Sequence, residues 1–496
     1  MAQPSKNKGL ALMKLHEAVE DAFPAHLERC RAFLRQKSVS ASGEGIRETA
    51  EWVKDMIEEL GGEVFLKGHP DFPIVFGRVR GASPKTLVVY GMYDVQPAEE
   101  KGWISPPFDA GIRRLPGMGD CVIARGAVNS KGALCGVFNS LRTMKATVGI
   151  PLNLIFTIEG EEEIGSPHFE PFIRENRALL GGDGVVDFDF SQDSKGGVSM
   201  HLGLKGIVYL DLLCRGGRKG GPVDTAVHGS VSAWISSPAW RLVHALAALT
   251  DEKEDIRIPG FYDNIAPVRG EDLRLLKALE KTFDERAFLK EMKGLCFKGD
   301  LHGVALLKKG LYSPIINING VQTGYMGPGT KTILPRKARA KVDIRFGPDM
   351  EPEEVVDKFK SHFRKQGFDD IEIRVRDFYS WSKTNFSEPI VQKMIGAYRT
   401  HEIRPQVWPM ATWAAPYFVF SRILNLPVVS GGLGHGGRQH VANEYMTVKG
   451  LKDFEKFVVT FLSLMAEDGG PVSSPGLSPV DHSNPSDLLL QDPSPS

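Results

Sequence analysis

Val89-Tyr90-Gly91-Met92-Tyr93-Asp94-Val95-Gln96-Pro97 closes an apolar run that begins at Thr86, and Glu159-Gly160-Glu161-Glu162-Glu163-Ile164-Gly165-Ser166 closes another that begins at Leu152. Between them lies Arg125-Gly126-Ala127-Val128-Asn129-Ser130-Lys131-Gly132, which opens a helical pattern running to about residue 146. The runs 86–90 and 152–158 are almost unbroken apolar, the pattern of strands buried on both faces of a parallel sheet. Each delivers carboxylates at its carboxyl end: Asp94 from the first, a glutamate triplet from the second. Open α/β sheets bind their ligands outside that edge, so the active site is expected there.

Working outward, residues 9–36 read as helix with a break at Pro24, and 45–60 as a clearer one. In the latter, Ile46, Ala50, Val53, Met56, Ile57 and Leu60 form one apolar stripe that Gly61-Gly62 ends. Residues 73–80 read as a strand. The stretch 183–197 is polar and loop-like, with Asp183, Asp187, Asp189 and Asp193 inside it. After Gly206 the pattern changes to strand 207–214, helix 238–249, alternating strand 338–346, helix 352–366 and strand 371–375. Read as members of a β-α-β-β-α-β order, these elements predict an inserted α+β domain, ferredoxin-like, over 207–380. Helices then recur at 389–400 and near 416–424, with a strand at 427–430 and a last helix at 448–466. The expected fold class is therefore α/β: a catalytic domain on a mainly parallel sheet, from 1–206 and 381–466, carrying that insert. Residues 467–496, rich in Pro, Ser, Gly and Asp, read as a disordered tail.

At 496 residues the chain exceeds one ordinary core. Sixty-one Lys and Arg balance sixty-one Asp and Glu, which argues against nucleic acid or an anionic membrane as main partner. Five scattered cysteines, with no CxxC pair, read as reduced, buried thiols. No apolar run approaches the ~20 residues that span a bilayer, and no signal-peptide pattern opens the chain. A cytoplasmic protein is expected.

Three adjacent acids on a surface helix are usually innocuous, but 161–163 directly follow a buried strand. Carboxylates at such a mouth suit a division of labour, one binding metal and one taking a proton from water. His440 ends the loop Gly431-Gly432-Leu433-Gly434-His435-Gly436-Gly437-Arg438-Gln439-His440, where His435 is its competitor. The GxGxxG within that loop lacks the helix and the later acid of a dinucleotide fingerprint.

Taken together with Ser237-Pro238-Ala239-Trp240-Arg241 and Asn443-Glu444, these segments resemble the carnosinase/aminoacylase/succinyl-diaminopimelate desuccinylase family of zinc peptidases and amidohydrolases, from about residue 15 to 465. The resemblance implies two zinc ions joined by one carboxylate, Glu162 as general base, and Glu163, Asp189 and His440 as metal ligands, with Asp187 or Asp193 as alternatives to Asp189. It implies that Asp94 orients a ligand and that His228 reaches across a dimer formed by the lid domain to the scissile carbonyl. Arg345 is assigned to the substrate carboxylate, and Asn319, Gly434 and His435 to substrate binding. Two positions depart from the pattern: Met92 stands where the family has histidine, and Asn129 where it has the bridging aspartate. A thioether is a poor Zn²⁺ ligand and a neutral amide cannot bridge two dications, so weak, single or rearranged binding of Zn, Mn or Co is expected. The implied function is hydrolysis of an amide or peptide bond in a small carboxylate-bearing molecule. The alternatives are a non-hydrolytic small-ligand binder and a lyase or isomerase using the same cleft.

Overall fold

Apolar runs in the first half of the chain build the central sheet of this computed structural model, which describes residues 6–98, 101–217 and 219–467. After helices α1 (Lys6–Arg35) and α2 (Ile46–Glu59) come strands β1 (Glu63–His69), β2 (Phe72–Val79) and β3 (Ser83–Met92). Helix α3 (Lys131–Thr147), β4 (Leu152–Glu159) and β5 (Gly184–Phe188) follow. The inserted segment contributes β6 (Gly206–Arg215), α4 (Pro238–Ala247), β7 (Ile315–Thr323), β8 (Lys337–Phe346), α5 (Pro352–Lys365) and β9 (Glu372–Tyr379). The chain then returns through α6 (Pro389–Thr400), β10 (Val428–Gly431) and α7 (Val448–Ala466).

The large sheet has the order β1-β2-β4-β3-β5-β10, with β4, β3, β5 and β10 parallel and β2 antiparallel to both of its neighbours, β1 and β4. Both faces of its centre are covered. Leu87, Val89, Leu154, Phe156 and Phe188 pack beneath α1, α3 and α7. Val88, Tyr90, Ile155 and Val185 pack against Phe169, Phe172, Phe418 and Phe420 on the other side. Double burial is why the runs that announced these strands lack alternation.

The inserted sheet, β7-β8-β6-β9, is wholly antiparallel. Only one face is covered: Leu242 and Ala245 of α4 and Val355, Phe359 and Phe363 of α5 close over Val208, Leu210, Ala340, Val342 and Ile344. The opposite residues of each strand look outward, and strict alternation in β8 records that asymmetry.

Four expectations are corrected. Helix α1 passes through Pro24 without ending. Leu15 and Val19 before the proline, and Cys30, Phe33 and Leu34 after it, are buried against one continuous core, and that burial outweighs the ~3 kcal/mol a mid-helix proline costs. The polar stretch 183–197 is not all loop: Val185, Val186 and Phe188 are buried and build β5 between β3 and β10. Near 416–424 the helix is one π turn, Val419–Ile423. Four cysteines are buried thiols, but Cys296 is exposed. The tail expectation falls on residues outside those described beyond 467.

At the junction of the two sheets, His201 packs between Trp408 and Trp413, with ring centroids 6.0 Å from each. Burial lowers its pKa to about 4, against about 6.5 for an unfolded histidine. The unfolded chain therefore takes up a proton between these values and the folded chain does not. The resulting penalty is absent above pH 6.5, grows as pH falls, and is complete below about pH 4. It amounts to roughly 3 kcal/mol. Urea unfolding from pH 8 to pH 4 is expected to show this loss, and His201→Phe to remove its share of it.

Candidate active site

Strand β3 ends on Met92, and Asp94 follows in a fully buried position. Its Oδ1 accepts from the backbone N–H of Glu162 at 3.2 Å and its Oδ2 from that of Glu163 at 3.0 Å. Burial lifts the Asp94 carboxyl to about 7 against those hydrogen bonds. One carboxylate thus ties the end of β3 to the turn after β4. That turn is a short 3₁₀ helix, Glu162–Ile164, and it aims two glutamates into the cleft.

The loop 125–129 is held from the far end of the chain. Glu444 Oε1 accepts from the N–H groups of Val128 (3.1 Å) and Asn129 (3.0 Å), while its Oε2 accepts from Arg125 at 2.6 Å. Asn129 then projects its amide between two other side chains. Its Nδ2 donates to Glu163 Oε1 at 2.8 Å and lies 2.9 Å from His440 Nε2. Glu163 Oε2 accepts from Gln96 at 2.9 Å and stands 3.2 Å from His440 Nε2. The contact with Glu163 raises the His440 imidazole above its ordinary range.

Two adjoining cavities, of about 490 and 480 Å³, share Glu162, Glu163, Ala414 and His440. The first is also lined by Met92, Asn129, Asp187, Asp189, Trp413 and Tyr417. The second reaches the lid sheet at Tyr209, Asn319 and Lys341. Burial raises Glu162 well above the carboxylate range, and neighbouring Glu163, Asp94 and Asp187 push in the same direction. Burial also lifts Asp187 to about 7 and Asp189 to about 6. Asp187 is engaged by the Tyr417 hydroxyl, which donates to its Oδ2 at 2.6 Å. Asp193 turns back to the N–H groups of Lys195 and Gly197. Among the three candidate aspartates, Asp189 is the one that lines the cavity without a side-chain partner.

The structure therefore brings Glu162, Glu163, Asp189, His440, Asn129, Met92 and Asn319 to one cleft. It does not bring Gly434 or His435 there. His435 is locked by Gln192 O at 2.8 Å and the Tyr445 hydroxyl at 3.0 Å. Gly434 has φ +90°, and a Cβ on it would stand 2.5 Å from Gly450 O of α7. Both shape the loop and leave its end, Gln439 and His440, to face the cavity. Asp94 orients glutamate backbone and, with Met92 in place, has no histidine to orient. Arg345 is committed to Asp343 Oδ2 (3.3 Å) and Thr412 O (3.2 Å). His228 is exposed, beside Ser230 and Thr332, and lines neither cavity of its own subunit. Sequence reading missed Gln96, Trp413 and Tyr417. Gln96 had a signal, lying two residues after Asp94 in the quoted motif; the two aromatics had none.

As donors for a metal, Glu163 and His440 fit one divalent ion: a carboxylate and an imidazole already meet, with an amide beside them. They do not fit a bridged pair. Met92 and Asp189 offer a thioether and one carboxylate on the other side, and Asn129 supplies a neutral group between the two positions. Among the described residues, no three of His, Cys, Asp or Glu converge as a metal cluster.

A mainly parallel sheet with its cleft at the strand ends, and an antiparallel lid over it, define a hydrolase-type α/β protein with an inserted lid. Residues 88–467 match the family model described as peptidase family M20/M25/M40, and the chain belongs to that family. It is 27% identical to the Cys-Gly metallodipeptidase DUG1 of Candida albicans over 74% of this chain and 78% of that one. It is 28% identical to the Beta-Ala-His dipeptidase of Rattus norvegicus over 61% of each chain. The M20 family metallo-carboxypeptidase Sso-CP2 of Sulfolobus solfataricus superposes with a TM-score of 0.81 at 30% identity, covering 89% of this chain and 99% of that structure.

The two departures can be reversed. Met92→His with Asn129→Asp is expected to raise Zn²⁺ affinity by about 100-fold or more, with either change alone doing much less. Calorimetric zinc titration of the four proteins checks this; two tight ions in the wild type would overturn it.

Proposed function

We propose that this protein is a metal-dependent hydrolase of the amide bond in small, carboxylate-bearing, dipeptide-like substrates, with one divalent ion (zinc, manganese or cobalt) at Glu163 and His440. The observation that carries the reading is the fixed pair Glu162–Glu163. Asp94 clamps both backbones, Gln96 and Asn129 orient the Glu163 carboxylate toward His440, and Glu162 is left as a carboxyl facing the cavity. An ion bound there supplies Lewis acidity to the cleft. Glu162 takes the proton of the attacking water and returns it to the leaving nitrogen, and burial raises its proton affinity above that of an ordinary carboxylate. Trp413 and Tyr417 wall the cavity and limit water around it. Asn319 offers an amide on the lid side for the substrate.

The same reading makes the protein a cytoplasmic homodimer joined through the lid, where β7 is an edge strand free to pair. His228 of the partner subunit would then complete the cleft and steady the oxyanion. No helix among the described residues is long and apolar enough to cross a membrane.

A second reading, a ligand binder that does not hydrolyse, draws on the Asn129 amide, whose contacts with Glu163 and His440 hold those groups together without an ion.

Assays on Cys-Gly, β-Ala-His and N-acyl amino acids with Zn²⁺, Mn²⁺ or Co²⁺ separate the two. Turnover is expected with at least one metal, and Glu162→Gln should lower kcat by about 10²–10⁴ with little change in substrate affinity. Folded protein inert under every metal would refute hydrolysis. For the dimer, mixing inactive Glu162→Gln and His228→Ala subunits is expected to restore about a quarter of wild-type activity, because half the random dimers regain one of two sites. Strict absence of complementation after subunit exchange would remove His228 from the cleft.

A further inference from the structure

The second cavity has an acidic catalytic wall and a lid wall that carries the cavity's cations. On the catalytic side stand Glu162 and Glu163 with His440, and the adjoining cavity adds Asp187 and Asp189. On the lid side stand Lys341 and Arg376 with Asn319 and Tyr209, together with two acids, Asp211 and Asp377. The lid wall follows from the pattern of β8. Its alternate residues Ala338, Ala340, Val342 and Ile344 are buried under the lid helices, so Lys337, Arg339, Lys341 and Arg345 share the open face, with Asp343 buried among them.

Most charges on this face are already paired. Arg345 meets Asp343, Arg376 holds Asp211 Oδ2 at 2.7 Å, and Arg374 pairs with Glu372. Lys341 and Arg339 have no side-chain hydrogen bond or ion pair among the described residues. Register explains the freedom of Lys341. Its neighbour on β6 is Asp211, which Arg376 has taken, and its neighbour on β7 is Gly320, which has no side chain. A Cβ at Gly320 would meet nothing within 4 Å, so the space over Lys341 is open. The cavity then continues as a depression of about 350 Å³ along the lid, lined by Lys341, Arg339, Arg374, Arg376 and Gln322, with Asp211 its single acid.

We propose that Lys341, with Arg339 behind it, is an anion subsite that selects peptides carrying an additional carboxylate beyond the scissile amide, such as acidic dipeptides and short acidic oligopeptides. The inference rests on the hydrolase reading and specifies its substrate class. The carboxylates below repel an anionic tail, and the lid cations receive it. Charge therefore orients the substrate, with the amide at Glu162, Glu163 and His440 and the acidic end on the lid. Arg345 is engaged elsewhere, which leaves Lys341 as the free cation on the cavity wall.

The experiment compares matched peptides, Ala-Glu with Ala-Gln and Ala-Glu-Glu with Ala-Gln-Gln, on full-length wild type, Lys341→Met, Arg339→Met and Lys341→Arg. Wild type is expected to favour the acidic members by about 10-fold in kcat/KM at low salt, and less at high salt. Lys341→Met should cut that preference to about twofold while leaving the neutral peptides unchanged, Arg339→Met should act chiefly on the tripeptide, and Lys341→Arg should retain the preference. Equal use of acidic and neutral peptides by wild type, or an undiminished preference in Lys341→Met, would overturn the subsite. If no peptide is turned over, the hydrolase reading fails separately. The same pairs are then compared by calorimetric Kd, and equal affinity for acidic and neutral peptides overturns the subsite there too.

Discussion

The cleft depends on one buried carboxylate. Asp94 sits at the end of a central strand, where burial opposes its charge, and it is held there by the backbone N–H groups of Glu162 and Glu163. Buried polar groups of this kind are costly unless satisfied, so the two strand ends cannot drift apart without leaving an orphaned carboxylate. Glu162 therefore faces the cavity as a consequence of backbone geometry. Its own side chain makes no contact that would fix it.

Around that clamp the remaining groups come from distant parts of the chain. Glu444 holds the loop that presents Asn129, and Asn129 meets both Glu163 and His440. In a family of metallopeptidases, an amide at this position changes what the cleft can hold. It donates where a carboxylate would accept, so it brings no negative charge to the point between Glu163 and His440. Burial displaces Glu162, Asp187 and Asp189 upward, and neighbouring carboxylates add to it at Glu162 and Asp187.

Opposed charge also gives the two domains a division of labour. The catalytic floor is acidic, and the open face of the lid, polar because only its other face is covered by helices, carries paired charges of both signs with Lys341 and Arg339 left over. A half-covered antiparallel sheet must present polar residues on its free side, and here that side faces the chemistry. The stabilising pattern of the lid and its part in recognition are the same alternation in β8.

The sequence by itself determined the elements that local pattern governs. Doubly buried runs identified β3 and β4, the stripe 46–60 identified α2, alternation identified β8, and the helices 389–400 and 448–466 agree with the structure to the residue. It also placed Asp94, Glu162, Glu163 and Asn129 at one sheet edge, since strand ends in a parallel sheet share an edge. Only the tertiary structure shows Asp187 and Asp189 lining the cavity and Asp193 turned away, because that placement depends on where β5 ends and on Tyr417, 230 residues away. Only it separated His440 from His435, whose ring is taken by Gln192 and Tyr445. Pro24 shows the same limit from the other side, a local breaker overruled by a core on both flanks. The physical reason is common to these cases. Periodicity reports which face a residue buries, whereas partners such as Asn129 and His440, 311 residues apart, are chosen by the order in which the sheet assembles.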